Sequence, residues 1–254
     1  MKGLDTRTVI VTGAAHGIGS AIANRLAEEG CVVGLFDVDL AGAREVEKAI
    51  RAAGGNAAAY GVDITDYEAV KKAIAGFQAA HGPLAFLVNN AGWDRVKNFL
   101  DTDRAFWDRV IAINLYGPLN VHHVALPGMA ERGFGRIVNI ASDAARVGSS
   151  GEAVYSACKG GIVSLTKTLA REFVAKGVIL NCICPGPTDT AILRSFAEGP
   201  DGGKILEGLR RAVPMKRLGE PDDYPGLVAF LLSDDAAYMT GQVISVSGGL
   251  TMHG

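Results

Sequence analysis

Short, continuously apolar runs alternate with longer stretches of helical period along the whole chain. Arg7–Thr12 (R-T-V-I-V-T) is a β-branched run, and Gly17–Glu29 then sets Ile18, Ala21, Ile22 and Leu26 at helical spacing. Cys31–Asp37 predicts a second strand, followed by an Ala/Glu/Lys-rich helix to about Ala53. The cycle repeats with a strand at Ala57–Val62, a helix from Asp66 to about Ala80, and a strand at Leu84–Asn89. One long helical region from Asp103 to about Arg132 leads to a strand at Arg136–Ala141. A helix carrying Tyr155 and Lys159 runs to about Lys176, and Val178–Cys184 is the next strand. A helix near Pro221–Ser233 precedes a last strand at Gln242–Val246. Strands that are apolar throughout, rather than alternating, predict a sheet buried on both faces. Seven of them interleaved with helices imply a parallel, doubly wound α/β sheet. No linker-like tract or fixed-period repeat divides the chain, so residues 1–254 are expected to form a single domain. The stretch from Pro185 to Pro214 reads as irregular, with too few apolar runs for core, and predicts a substrate lid at about 187–214.

Composition narrows the class without changing this picture. Hydrophobic residues make up 48% and charged residues 20%, which excludes a disordered chain. A formal net charge of −2 gives no global attraction to nucleic acid or an anionic membrane. Charges interrupt the first residues, and no apolar run is long enough to span a bilayer, so a cytoplasmic location is expected. Cys182-Ile183-Cys184 lies on a predicted strand, where its two thiols are expected to face opposite ways. With Cys31 and Cys158 they read as small buried hydrophobes, and no metal site is expected.

Candidate chemistry begins at T-G-A-A-H-G-I-G, between the first strand and the first helix. Gly13, Gly17 and Gly19 allow a tight bend and close backbone approach to a pyrophosphate, while the helix start offers free N–H groups. The spacing is G-x-x-x-G-x-G rather than G-x-G-x-x-G. Asp37 ends the second strand, where a carboxylate can accept hydrogen bonds from an adenosine ribose. It would repel a 2′-phosphate and Val38 offers no compensating charge, so NAD is expected over NADP. Tyr155 and Lys159 stand one helical turn apart, with Ser142 thirteen residues upstream of the tyrosine. A phenol beside an ammonium and a hydroxyl is a device for moving a proton on and off an alcohol oxygen. Free tyrosine titrates near about 10, and a neighbouring ammonium is expected to lower that value.

Taken together, the segments resemble the short-chain dehydrogenase/reductase family over essentially the whole chain. The matching runs are T-G-A-A-H-G-I-G, V-D-I at Val62–Ile64, N-N-A-G at Asn89–Gly92, Asn114 in I-A-I-N-L, and Ser142 in N-I-A-S. Tyr155-x-x-x-Lys159, C-P-G-P-T-D-T at Cys184–Thr190 and the terminal T-G-Q-V-I-S-V-S-G-G complete the set. The resemblance implies a Rossmann-type fold and a catalytic tetrad of Asn114, Ser142, Tyr155 and Lys159, with Asn114 holding a water that links Lys159 to solvent. It implies a cofactor site of Gly13, His16, Gly17, Ile18, Gly19, Asp37 and Val38, with Asp63 and Ile64 at adenine. Asn90, Ala91 and Gly92 would line the ribose; Pro185, Gly186, Thr188 and Thr190 would meet the nicotinamide end, beside Tyr155 and Lys159. His16 itself is given no chemistry, and His122 and His123 read as helix-surface or interface residues. Homotetramers are usual in the family.

The substrate is less constrained. Ser142, Asp143, Arg146, Tyr155 and Trp93 are candidate pocket residues, although Trp93 equally suits a packed subunit contact and Asp143 with Arg146 a structural ion pair. Between Arg194 and Arg217 six basic residues face three acidic ones, a rim suited to a phosphate-bearing carrier or simply a solvated loop. N-N-A-G-W-D and S-D-A-A-R-V-G-S-S-G-E-A-V-Y resemble family members that oxidise a ring β-hydroxyacyl-CoA. The resemblance therefore implies a cyclic or linear 3-hydroxyacyl-CoA, such as 2-hydroxycyclohexanecarboxyl-CoA, oxidised with NAD. The alternatives are a 3-oxoacyl-(acyl carrier protein) reductase, a dehydrogenase of free cyclic or secondary alcohols, and a non-catalytic NAD-sensing protein.

Overall fold

The computed structural model describes residues 1–196 and 202–252. The first half alternates β1 (Thr8–Thr12), α1 (Gly17–Glu28), β2 (Val32–Asp37), α2 (Leu40–Ala52), β3 (Asn56–Gly61), α3 (Tyr67–His81) and β4 (Phe86–Asn89). Next come α4 (Arg104–Ile111), a π-helical turn at Ala112–Tyr116, α5 (Gly117–Arg132) and β5 (Gly135–Ile140). A short α6 (Ala144–Val147) and the long α7 (Ala153–Phe173) lead to β6 (Val178–Pro185). The chain ends with α8 (Ala191–Phe196), α9 (Gly202–Ala212), α10 (Pro225–Leu232) and β7 (Val243–Val246).

The seven strands form one sheet in the order β3-β2-β1-β4-β5-β6-β7. All six pairings are parallel. Side-chain alternation then divides the core between two faces. Val9, Val11, Val33 and Leu35 pack against Ile22 and Leu26 of α1 and Val228 of α10. Ile10, Phe36, Leu87 and Ile137 pack against Ile74 and Phe77 of α3 and Val121 and Met129 of α5. Strand order reverses between β1 and β4, so a crevice opens at their carboxyl ends, where ligands of such sheets bind.

Four expectations change. The long helix from Asp103 is interrupted, because Pro118 has no N–H to bond the Asn114 carbonyl four residues back. The turn widens instead, and the Gly117 N–H reaches Ala112 O. His122 is buried rather than on the surface, and its Nδ1 lies 2.7 Å from Pro118 O. Cys182 and Cys184 share one face, as residues two apart on a strand must, and pack with Ala141 and Ile162 while Ile183 faces the other side. The segment expected to be irregular holds α8 and α9, and buries Leu193 and Val213; residues 197–201, with Glu198 and Asp201, lie outside the described residues.

Candidate active site

The glycine turn is held open by side chains on both sides of the crevice. Thr12 Oγ1 accepts from the backbone N–H of Asn90 (3.0 Å) and Ala91 (3.1 Å). Asn90 Nδ2 returns the tie, donating to Thr12 O and Gly13 O at 3.0 and 3.1 Å. Gly13 needs its lack of a side chain: φ is +66°, and a Cβ would come within 2.8 Å of Ala91 Cα. The start of α1 has no acidic residue in its first turn, and His16, its N-cap, gives no side-chain cap. Its N–H groups and positive dipole end are therefore left for an anion. Thr190 stands across the crevice, where its Cγ2 would be 3.5 Å from a Cβ on Gly17.

Asp37 closes the far end of this cradle. Its Oδ2 accepts from Ala15 N and its Oδ1 from Asp39 N, both at 2.9 Å, and neither donor brings a charge. Val38 beside it is exposed, and His16 turns away to bond Asp39 Oδ2 at 2.8 Å. Asp63 is exposed, with Oδ1 held by Thr65, whereas Ile64 is buried core and can offer adenine only its backbone. Gly186 donates to Val246 O, and Thr188 Oγ1 is engaged by Gly186 O and the Tyr224 hydroxyl. Thr188 thus has its backbone, not its hydroxyl, to give. These residues together fit a dinucleotide.

The proton-handling cluster lies beside the cradle. Lys159 is 3% exposed, its Nζ donates to Ile140 O at 2.9 Å, and burial pulls its pKa down to about 8. The Nζ sits 5.6 Å from the centre of the Tyr155 ring. Burial pushes the Tyr155 phenol above the ordinary tyrosine range, Glu152 adds to that, and the Ser142 hydroxyl, hydrogen-bonded to it, opposes. The expected lowering by the Lys159 ammonium is thus not found: desolvation dominates, and the ammonium is committed to a backbone carbonyl. Asn114 is wholly buried in the π turn, with Oδ1 accepting from Trp93 N and Nδ2 donating to Trp93 O and Val110 O. A Cβ at Gly92 would lie 2.9 Å from Asn114 Oδ1 and 3.4 Å from Lys159 Nζ, so only glycine leaves this corner open.

Comparison with known proteins agrees with this geometry. A family model described as enoyl-(acyl carrier protein) reductase matches residues 13–251. The chain is 40% identical to nodulation protein G of Azospirillum brasilense, covering 97% of this chain and 99% of that one. It is 41% identical to the acetoacetyl-CoA reductase of Shinella zoogloeoides, covering 96% and 98%. It is 37% identical to the 3-oxoacyl-[acyl-carrier-protein] reductase of Staphylococcus aureus, covering 97% and 99%. The chain is a short-chain dehydrogenase/reductase. It is an oxidoreductase of CH–OH groups with a nicotinamide cofactor.

Several candidate pocket residues of this dehydrogenase/reductase have other partners. Asp143 Oδ1 accepts from Ser245 Oγ at 2.5 Å, and Arg146 Nη1 donates to Ser245 Oγ and Val243 O. Both side chains are fastened to β7, through a shared serine rather than a direct ion pair. The Trp93 ring is covered by the Arg109 guanidinium, 3.9 Å from the ring centre, and packs on Phe106. Three arginines of the 194–217 segment are ion-paired: Arg194 with Asp189, Arg211 with Glu207 and Arg217 with Asp223, and Asp189 and Asp223, from outside that segment or its acidic count, offset part of the positive charge counted there. Asp94 and Glu152, quoted only within the runs N-N-A-G-W-D and S-D-A-A-R-V-G-S-S-G-E-A-V-Y and given no role there, line a small cavity beside Tyr155. Asp94 directly follows the N-N-A-G-W run, the one signal that could have drawn attention to it.

Proposed function

We propose that this enzyme interconverts a 3-hydroxyacyl-CoA and its 3-oxoacyl thioester, using NAD(H) and acting on a cyclic or linear chain such as 2-hydroxycyclohexanecarboxyl-CoA. The observation that carries the reaction is the Tyr155 phenol grouped with the Ser142 hydroxyl and buried Lys159. The thioester is supported by the likeness to acetoacetyl-CoA reductases at 38–41% identity over nearly the whole chain. Reduction of a 3-oxoacyl-(acyl carrier protein) is the second reading, favoured by the Staphylococcus aureus relative.

Gly13, Gly17, Ile18 and Gly19 hold the pyrophosphate, Asp37 the adenosine ribose, and Asn90–Gly92 with Pro185–Thr190 the nicotinamide half. The bound cofactor supplies or takes the hydride. Ser142 orients the reacting oxygen and stabilises charge on it. Tyr155 exchanges the proton with that oxygen, and Lys159 steadies the phenolate while linking it, through Asn114, to solvent. Asp37 favours NAD because both of its protein partners are neutral N–H groups, leaving its charge uncompensated against a 2′-phosphate. The helices α8 and α9 form the lid within the single domain. A groove between α5 and α7, with Leu126, Pro127, Leu165 and Leu169 in its wall, is the face on which a homotetramer assembles. Among the described residues no helix is long and apolar enough to cross a membrane, in keeping with a cytoplasmic enzyme.

NAD-linked rates for cyclic and linear 3-hydroxyacyl-CoA esters, set against free alcohols, test the substrate. Turnover of free alcohols alone would reject the thioester. Tyr155→Phe should keep NADH binding and lose about 10²–10⁴ in rate; unchanged turnover would reject the mechanism.

A further inference from the structure

Asp94 is 7% exposed, and its Oδ2 meets no N–H or O–H donor among the described residues. The residue facing it across a small cavity is another acid, Glu152. Glu152 is the N-cap of α7, yet its side chain does not cap that helix. The backbone clamps the two acids together: Lys97 N donates to Gly151 O at 2.9 Å. Gly151 has φ +82°, and a Cβ there would come within 2.6 Å of Val96 Cγ1. Both carboxyls line one small cavity with Tyr155, Lys97, Phe99 and Phe106. Two carboxyls packed beside each other away from water favour one proton between them, because two carboxylates present only acceptors and repel.

We propose that Asp94 and Glu152 share one proton and, by gaining or losing it, set the proton affinity of Tyr155. The inference rests on Tyr155 being the proton-transfer group of the reaction proposed above. Burial raises Asp94 to about 7; the Arg95 N–H and the Lys159 ammonium oppose this, and Glu152 reinforces it. The proton held at Asp94 is therefore the one exchanged near neutrality. Charge on either acid pushes the Tyr155 phenol up. The groups facing the pair are Tyr155, Cys158 and Lys159 of α7, and Lys97 with the Arg95 N–H of the Asp94 segment; among the described residues of the cavity wall α4 brings Phe106, which carries no charge. Above neutrality the pair gains a second negative charge and disfavours phenolate, which holds back alcohol oxidation. It also keeps the phenol protonated, so proton delivery to a ketone persists at higher pH. Asp94 and Glu152 are positioning residues, acting through Tyr155.

The test is the pH profile of kcat/KM for alcohol oxidation in wild type, Asp94→Asn, Glu152→Gln and the double variant. It is run on 3-hydroxybutyryl-CoA and on cyclohexanol, so that failure of the thioester reading leaves the second profile to decide the pair. Either single variant should move the ascending limb to lower pH by about half a pH unit, roughly threefold in rate on the limb. The double variant, which carries no charge there, should move it further than either single variant does. Infrared difference spectra between pH 6 and pH 8, without substrate, should show a carboxylic-acid C=O band in wild type that Asp94→Asn loses. A limb that stays in place in both single variants, or a missing band in wild type, would overturn the proposal. Glu152→Gln keeps the test open if Asp94→Asn does not fold.

Discussion

Lys159 holds its place at a cost in stability that can be measured. Its side chain is buried and bonded to Ile140 O, and desolvation lowers its pKa from 10.5 to about 8. A displacement of that size amounts to roughly 3 kcal/mol against the charged form in the folded chain. The unfolded chain binds the proton below 10.5 and the folded chain only below about 8. Stability linked to this group is therefore fully present above 10.5, falls as pH drops through that window, and is lost below about 8. Lys159→Met removes the penalty and also a hydrogen bond of about 1 kcal/mol. The variant should be more stable than wild type at pH 7 by about 2 kcal/mol, while turnover collapses. Urea unfolding at matched protein concentration reads this directly. Between pH 7 and pH 9.5 the variant's advantage should shrink by about 2 kcal/mol, as the wild-type lysine becomes neutral in the folded state. Burial holds Cys31 and Cys158 above the ordinary thiol range, which acts the opposite way as pH rises, but both proteins share those thiols. The difference between the proteins thus reports Lys159 together with its coupling to Asp94 and Cys158. A variant less stable than wild type at pH 7, or an advantage constant with pH, refutes the reasoning.

Two further substitutions probe the cofactor cradle. Asp37→Ala removes the one charge facing the ribose, so the Michaelis constant for NAD should rise and discrimination against NADP should fall, read by steady-state kinetics with both cofactors. Thr12→Val leaves the N–H groups of Asn90 and Ala91 without their shared acceptor in a buried setting. Unfolding by urea should show a loss of about 3 kcal/mol, with weakened NADH binding.

The α/β order was legible because every central strand is buried on both faces, which writes a continuous apolar run into the sequence. The glycine turn, Asp37 and the Tyr155–Lys159 spacing were legible for a related reason: each is local, and its chemistry depends on a short offset along one element. Two corrections were open to the same periodicity. His122 lies on the buried stripe of α5 with Pro118, Ala125 and Met129, and Cys182 with Cys184 obeys the two-residue repeat of a strand. The break at Asn114 was hidden because Pro118 falls within an otherwise helical apolar pattern. The six-residue α8 is too short to show a period. Asp94 and Glu152 come together only through the clamp between Lys97 and Gly151, which no spacing records.

The same desolvation that hid the pair explains why Tyr155 departs from expectation. Spacing alone suggested an ammonium poised to stabilise phenolate, and Lys159 is indeed adjacent. Burial, however, acts on every member of the cluster and moves each toward its neutral form: the phenol up, the amine down, the Asp94 acid up. A pocket so desolvated is a poor base by itself, because forming phenolate there adds a charge that water cannot solvate. It becomes a competent base once a compensating positive charge is present, and an oxidised nicotinamide ring carries one. Alcohol oxidation would then require cofactor before deprotonation, whereas a protonated Tyr155 is ready to give its proton to a ketone at rest. The apparent pKa of Tyr155 should accordingly be lower in the complex with oxidised cofactor than with reduced cofactor, and the lowering should be greater in Asp94→Asn, where the pair can no longer add its second negative charge.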